Sequence, residues 1–244
     1  MASPCLDPER DHLAIMRRLF GGEFAAEIRL GAGLALFRVF AIPQISGILA
    51  ETRAWERRPQ QRLGRTVDLL RVLVEQGYDS GPGAAALARL NAVHARHAIA
   101  NEDFVYVLTA FVTEPARVIA RCGTRPLDAI EREAACVFWR EVGVRMGIRD
   151  VPRTFAAMRA FQAQYEAAHR RYAASNRCTA EGAMSAISQR VPGPLRGAVR
   201  EGLLALLEPE VRRACGFAGE ERAMGRVLDV VMAVRRRFAF TGWN

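Results

Sequence analysis

The sequence predicts an all-α fold, a single helical domain, on three observations. Apolar residues recur at helical spacing, as in Phe104, Val107, Leu108 and Phe111. Alternating β-branched runs joined by Asn-Gly or Asp-Gly turns are missing. Glycine and proline interrupt the chain at intervals suited to helices rather than hairpins. At 244 residues, 50% hydrophobic and 25% charged, the chain is long enough to bury a sizeable core.

The elements follow in order. Glu9 to Phe20 is amphipathic and stops at Gly21-Gly22. Apolar sequence from Ala25 to Phe40 predicts a second helix, and Pro43 opens a third reaching Thr52. Arg62 to Gln76 is a helix ended by Gly77, and Ala84 to Ala98 is an alanine-rich one able to pack closely. Asn101 is placed as an N-cap, with Glu102 and Asp103 in the first turn where the helix dipole favours carboxylates. Pro115 is expected to kink or restart that helix. Further helices are predicted over Leu127 to Met146, Pro152 to Ala174, Leu195 to Leu207, Glu210 to Ala214 and Glu220 to Phe238, with Asp150-Val151-Pro152 as a start signal. No fixed-period repeat or long linker divides the chain, so residues 1–24 read as a lead-in and 25–240 as the domain.

Formal net charge is +9, and all 35 basic residues are arginine. This permits an anionic partner, but the arginines are dispersed, their dense runs are short, and a solvated helical surface accounts for them; a nucleic-acid partner is not expected. Five widely spaced cysteines without any CxxC predict reduced thiols in a cytoplasmic setting. The N-terminus lacks the apolar core of an export signal. Leu30 to Ala50, the most apolar stretch, is broken by Arg38 and Pro43; a buried core segment is expected rather than a transmembrane helix, and peripheral membrane contact stays open.

Two of the four histidines, His94 and His97, sit three residues apart. His94 falls on the helical stripe of Leu87, Leu90 and Asn91, with His97 on an adjoining face. A core imidazole bonded to a carbonyl and an iron ligand are both compatible with that position; a structural zinc is not supported by the neighbouring residues. Arg62, Arg65 and Thr66 are spaced to share one helix face, where two guanidiniums meet either solvent or an anionic group. Gly81-Pro82-Gly83-Ala84-Ala85-Ala86 imitates a dinucleotide fingerprint, but no strand precedes it and Pro82 removes an amide the pyrophosphate would need.

Several segments recur together in a known order: Phe37 to Pro43 (FRVFAIP), Arg62 to Thr66 (RLGRT), Val93-His94, Ile99 to Leu108 (IANEDFVYVL), Phe111 to Pro115 (FVTEP) and Tyr165-Glu166. In this the chain resembles the MpaB-type oxygenase family, whose domain also occurs in the latex-clearing rubber oxygenases. The resemblance implies an all-helical domain enclosing one b-type haem and the use of dioxygen to cleave carbon–carbon double bonds of isoprenoid chains. It places the iron-binding histidine on His94, with His97 as a neighbour toward a propionate or a core hydrogen bond. The family's Arg-x-x-Lys-Thr pocket motif falls on Arg62, Arg65 and Thr66. Arg62 and Thr66 are then the candidate catalytic pair, Arg62 for negative charge on oxygen, and Arg65 is suited to a propionate.

The motif lysine is Arg65 here, and a guanidinium is a very poor iron ligand, so a lysine-capped resting form is not expected. The resemblance implies an isoprenoid-like substrate. The departures from the secreted polymer-cleaving members, a shorter chain without their export signal, lead to the expectation of a small lipophilic molecule rather than rubber, with Phe37, Phe40, Phe104, Val107 and Phe111 as candidate apolar walls or simply core. A haem protein without oxygenase activity and an arginine-rich binding module stand as the alternatives. Oligomeric state is not legible.

Overall fold

Twelve α-helices and one 3-10 turn, and no strand, make up residues 6–218, the part of the chain that the computed structural model describes. The helix expected over Glu220 to Phe238 lies outside those residues. In order the helices are α1 (Pro8–Gly21), α2 (Ala25–Phe40), α3 (Pro43–Glu51), α4 (Ala54–Arg57), α5 (Pro59–Glu75), α6 (Gly81–His94), α7 (Asn101–Cys122), α8 (Ala129–Arg145), α9 (Phe155–His169), α10 (Ala174–Ser188), α11 (Arg196–Leu206) and α12 (Pro209–Ala214). They group into two compact units interleaved in sequence. One takes the chain up to residue 32 together with 68–164; the other takes 33–67 together with the chain from 165 onward.

The first unit is built on α7, the longest helix among the described residues. Its buried face carries Val105, Leu108, Val112 and Ile119, which join Ile15, Leu19, Leu73 and Phe138 in one core cluster. Pro115 does not break α7. It is buried at a crossing with α2, where a Cβ on Gly31 would stand 2.9 Å from the Pro115 nitrogen, so only glycine lets the two backbones approach. Asn101 does not cap α7; Ala100 holds that position without a side-chain bond. The Asn101 amide instead clamps the backbone of Arg149, accepting from its N–H and donating to its carbonyl, both at 2.9 Å. The start signal at Asp150-Val151-Pro152 also shifts. Asp150 sits in the left-handed region at φ 60°, and α9 begins at Phe155 after Thr154, whose hydroxyl accepts from the Ala157 amide at 3.1 Å.

In α8 a capping box closes the first turn: Asp128 accepts from the Glu131 amide and Glu131 from the Asp128 amide. Glu131 is buried and also takes Arg125 at 2.7 Å and Arg18 at 3.0 Å. The hydrogen bond from Arg125 is the main cause holding its carboxyl below the usual range.

The second unit is held by α10, a helix whose sequence carries no large apolar stripe. Apart from Met184 its buried residues are small, Asn176, Thr179, Ala180, Ala183 and Ala186 among them, and that permits close approach. A Cβ on Gly182 would lie 2.8 Å from the Trp55 carbonyl carbon. Asn176 accepts from the Ser46 hydroxyl at 2.5 Å and donates to the carbonyls of Arg171 and Ala214. Phe37 and Phe40 are fully buried, as core, with Phe217 and Trp55 as their ring neighbours.

The apolar stretch from Leu30 to Ala50 is two helices, α2 and α3, bent by 97° at the break before Pro43. Among the described residues no single helix is long and apolar enough to cross a membrane. Arg38 within that stretch is 5% exposed and ion-paired, as a core residue must be.

Candidate functional site

His94 is the last residue of α6. The helix starts on Ser80, whose hydroxyl accepts from the Gly83 amide at 3.0 Å, with Pro82 in the first turn. Gly83 is set against the turn at Gly77, where a Cβ would stand 2.9 Å from the Gly77 carbonyl carbon. The Gly-Pro-Gly run is thus a capped helix start. At the other end, the His94 ring lies against Phe104 of α7, centroids 5.1 Å apart at 56°, and is half-buried. The helix was expected to continue to Ala98. It ends four residues sooner because the chain tightens into turns: the Arg96 amide bonds to the Val93 carbonyl and that of His97 to the His94 carbonyl at 3.0 Å. His97 therefore sits past the helix end and does not occupy the next turn of the His94 face. Both histidines belong to the first unit. Among the described residues no three His, Cys, Asp or Glu side chains converge as a metal-ion set would.

Arg62, Arg65 and Thr66 lie on α5 in the second unit. Arg62 Nη1 donates to Thr66 Oγ1 at 2.5 Å, and that hydroxyl donates to the Arg62 carbonyl at 3.3 Å. The Arg62 guanidinium lies over the Trp55 ring, 5.2 Å from its centroid. Burial, and then repulsion from Arg65, pull its pKa below the usual arginine value, though it stays charged. Among the described residues no carboxylate lies within ion-pair distance of it. Arg65 is exposed on the same helix. Phe104 and Val107 are half-buried, and Phe111 lines an apolar pocket in the first unit together with Leu19, Ile28, Val112, Pro115 and Trp139.

From sequence, Arg38 and Tyr165-Glu166 figure as parts of recurring segments, and their contacts were not foreseen. Arg38 donates to Glu166 at 2.6 and 2.9 Å and meets Glu208 at 2.6 Å, and Glu166 takes Arg170 at 2.6 Å. Next to it, the Tyr165 hydroxyl accepts from Gln44 at 3.1 Å. In the first unit His12 and Tyr78 form a buried pair. Partners 128 and 66 positions apart leave no periodic trace; only the charge of Arg38 within an apolar run hinted at one of them.

Fold and site define an all-helical protein with a half-buried histidine at a helix end and a shielded arginine that has no carboxylate partner among the described residues. The chain belongs to the family described as ER-bound oxygenase mpaB/B'/Rubber oxygenase, catalytic domain, whose profile matches residues 18–237. It is 32% identical over 121 residues to the ER-bound oxygenase mpaB of Penicillium roqueforti (strain FM164), covering 47% of this chain and 40% of that protein. To the ER-bound oxygenase mpaB' of Penicillium brevicompactum it is 22% identical over 247 positions, 93% of this chain and 58% of that protein. A third relative, the ER-bound oxygenase mpaB of Penicillium brevicompactum, is 27% identical over 147 residues, 57% of this chain and 37% of that protein. The matches span between 37% and 58% of the length of these relatives.

Proposed function

We propose that the protein is a haem b-dependent oxygenase that uses dioxygen to oxidise or cleave a carbon–carbon double bond of a small lipophilic, isoprenoid-like substrate. The observation that carries the reading is Arg62. A shielded guanidinium with a hydroxyl and an indole as neighbours, and no carboxylate among the described residues, is a standing donor for an anionic oxygen. The family match over residues 18–237 supplies the reaction class.

The donor set fits a haem better than a bare ion. One imidazole suffices to hold haem iron, whereas an ion held by protein alone needs three or four ligands, and no such group occurs among the described residues. Haem, when bound, supplies the redox chemistry for dioxygen. His94 would hold the iron through a ring nitrogen, with Phe104 packed against that ring. Arg62 would offer its donors to negative charge developing on oxygen, with Thr66 engaging one of its guanidinium nitrogens. Arg65, exposed, is suited to a propionate, and His97 to a neighbouring polar contact. Apolar walls would exclude water from such a site, and Phe111, which lines the apolar pocket of the first unit, is a candidate for one. We further assign a reduced, cytoplasmic setting, in keeping with Cys122, Cys136, Cys178 and Cys215 forming no disulfide. Nucleic acid is not among the expected partners.

The test is oxygen uptake by haem-loaded protein over a panel of lipophilic alkenes, with carbonyl products identified by mass spectrometry. Arg62→Ala is expected to retain haem while turnover falls roughly 100-fold, the cost of removing one preorganised donor. Unchanged turnover in Arg62→Ala overturns the role given to Arg62. Haem binding without oxygen uptake on any alkene overturns the oxygenase.

A further inference from the structure

A phenol and an imidazole in the first unit are arranged for a chemistry the site above does not use. Tyr78 is 4% exposed, and its hydroxyl lies 2.5 Å from His12 Nε2. The other ring nitrogen, Nδ1, lies 3.0 Å from the Glu9 carbonyl, which can only accept. That contact fixes the tautomer: Nδ1 carries the hydrogen, and Nε2 is the bare acceptor of the phenolic proton. The Arg145 guanidinium lies 4.0 Å from the centre of the Tyr78 ring, held by Asp79 and Glu141. Other charged groups of this neighbourhood are Arg140, paired to Glu9, Asp11, paired to Arg10, and Arg17, which donates to the Val74 carbonyl.

These contacts close two of the three routes by which a tyrosine loses an electron. A cation over the ring penalises a positively charged phenol radical, so electron loss alone is disfavoured. Burial pushes the phenol up to about 12, so prior ionisation is disfavoured as well. Simultaneous loss of electron and proton adds no charge to the ring, and His12 Nε2 stands ready for the proton. A path for the electron is also present. The Phe138 ring is 5.8 Å from Tyr78, Trp139 is 5.5 Å from Phe138, and Phe111 is 5.2 Å from Trp139. Phe111 and Trp139 both line the apolar pocket.

We propose that Tyr78 is a redox-active tyrosine coupled to His12 and wired through Trp139 to the pocket wall. A one-electron oxidant removes an electron from Trp139, and Tyr78 refills it through Phe138. The Tyr78 O–H bond breaks in that step: its proton goes to His12 Nε2 and the oxidant is reduced by one electron, leaving a neutral tyrosyl radical and an imidazolium. A soluble thiol or ascorbate-type reductant returns the electron, and His12 returns the proton. The site's service, draining oxidising equivalents when dioxygen is activated without substrate, rests on the oxygenase reading; the site itself does not.

The test uses full-length protein without haem and a photogenerated ruthenium(III) tris-bipyridine oxidant, read by electron paramagnetic resonance and transient absorption. Tyr172, 60% exposed, would react directly, so Tyr172→Phe is the background. In that background a tyrosyl signal is expected that disappears in Tyr78→Phe and in His12→Gln, whose amide oxygen accepts the hydrogen bond but takes no proton. Formation should slow in deuterated water, a readout that needs no substitution at the pair. Trp139→Phe should remove the tryptophan-radical precursor and delay the tyrosyl signal. A signal that survives Tyr78→Phe or His12→Gln, a rate indifferent to deuterium, or an undelayed rise without Trp139 overturns the proposal. Failure here leaves the haem reading intact, and a protein that takes no haem can still pass.

Discussion

Replacing Arg38 with methionine keeps most of its buried length and removes the cation that serves two carboxylates. In the second unit Arg38 is 6% exposed at the side chain, as is Glu166, whereas Glu208 is 36% exposed. Removing one partner of a buried pair costs about 3–5 kcal/mol, because a carboxylate is left in a poorly solvated place. Two features set the expected loss at the lower end, about 3 kcal/mol: Arg170 still meets Glu166 at 2.6 Å, and Glu208 reaches water. Against a total stability of about 5–15 kcal/mol this is a large fraction. Urea unfolding followed by circular dichroism measures it as a fall in midpoint at nearly constant slope. The double variant Arg38→Met/Glu166→Met should recover part of the loss, since it removes the stranded charge with its partner. A loss under about 1 kcal/mol for Arg38→Met, or a double variant less stable than the single one by the full cost of a second buried deletion, would refute the assignment of a buried ionic cluster.

Two further outcomes follow from the packing and the charges. Gly182→Ala forces a methyl against the Trp55 backbone and should destabilise by about 1–3 kcal/mol, whereas Gly197→Ala, with open space around it, should be neutral or stabilising; equal midpoints for the two would contradict the α10 contact. Glu131 has a carboxyl held below its unfolded value, so its stabilisation is complete above about pH 4.3 and is lost as pH falls through the folded value. Glu131→Gln should therefore lower stability by about 1 kcal/mol or more at neutral pH through the weakened cap and lost ion pairs, and flatten the acid limb; an unchanged acid limb would count against it.

Helices with large apolar stripes were legible from sequence, as α1, α2 and α7 show. So was the chance that Arg38 and Pro43 make Leu30 to Ala50 a core segment. What escaped was packing without a stripe. α10 and the one-turn α4 were not read at all, because α10 buries threonine, asparagine and alanine rather than leucine, and its signal is closeness to Trp55. Start signals erred where a polar side chain had a better partner: Asn101 clamps Arg149, and Thr154 opens α9. Of the candidate site, the Arg62–Thr66 pairing was readable from i, i+4 spacing. The placement of His97 was not, since the turn that ends α6 is set by backbone bonds after His94. The His12–Tyr78 pair has no local signature whatever.

The central claim is that His94 binds haem iron, and pyridine haemochrome quantitation of protein made with ample porphyrin tests it most directly. About one haem per chain is predicted for the wild type and for His97→Ala, with the Soret band lost or displaced in His94→Ala. A wild type that purifies colourless, or a His94→Ala protein with an unchanged Soret band and full haem content, would contradict the account.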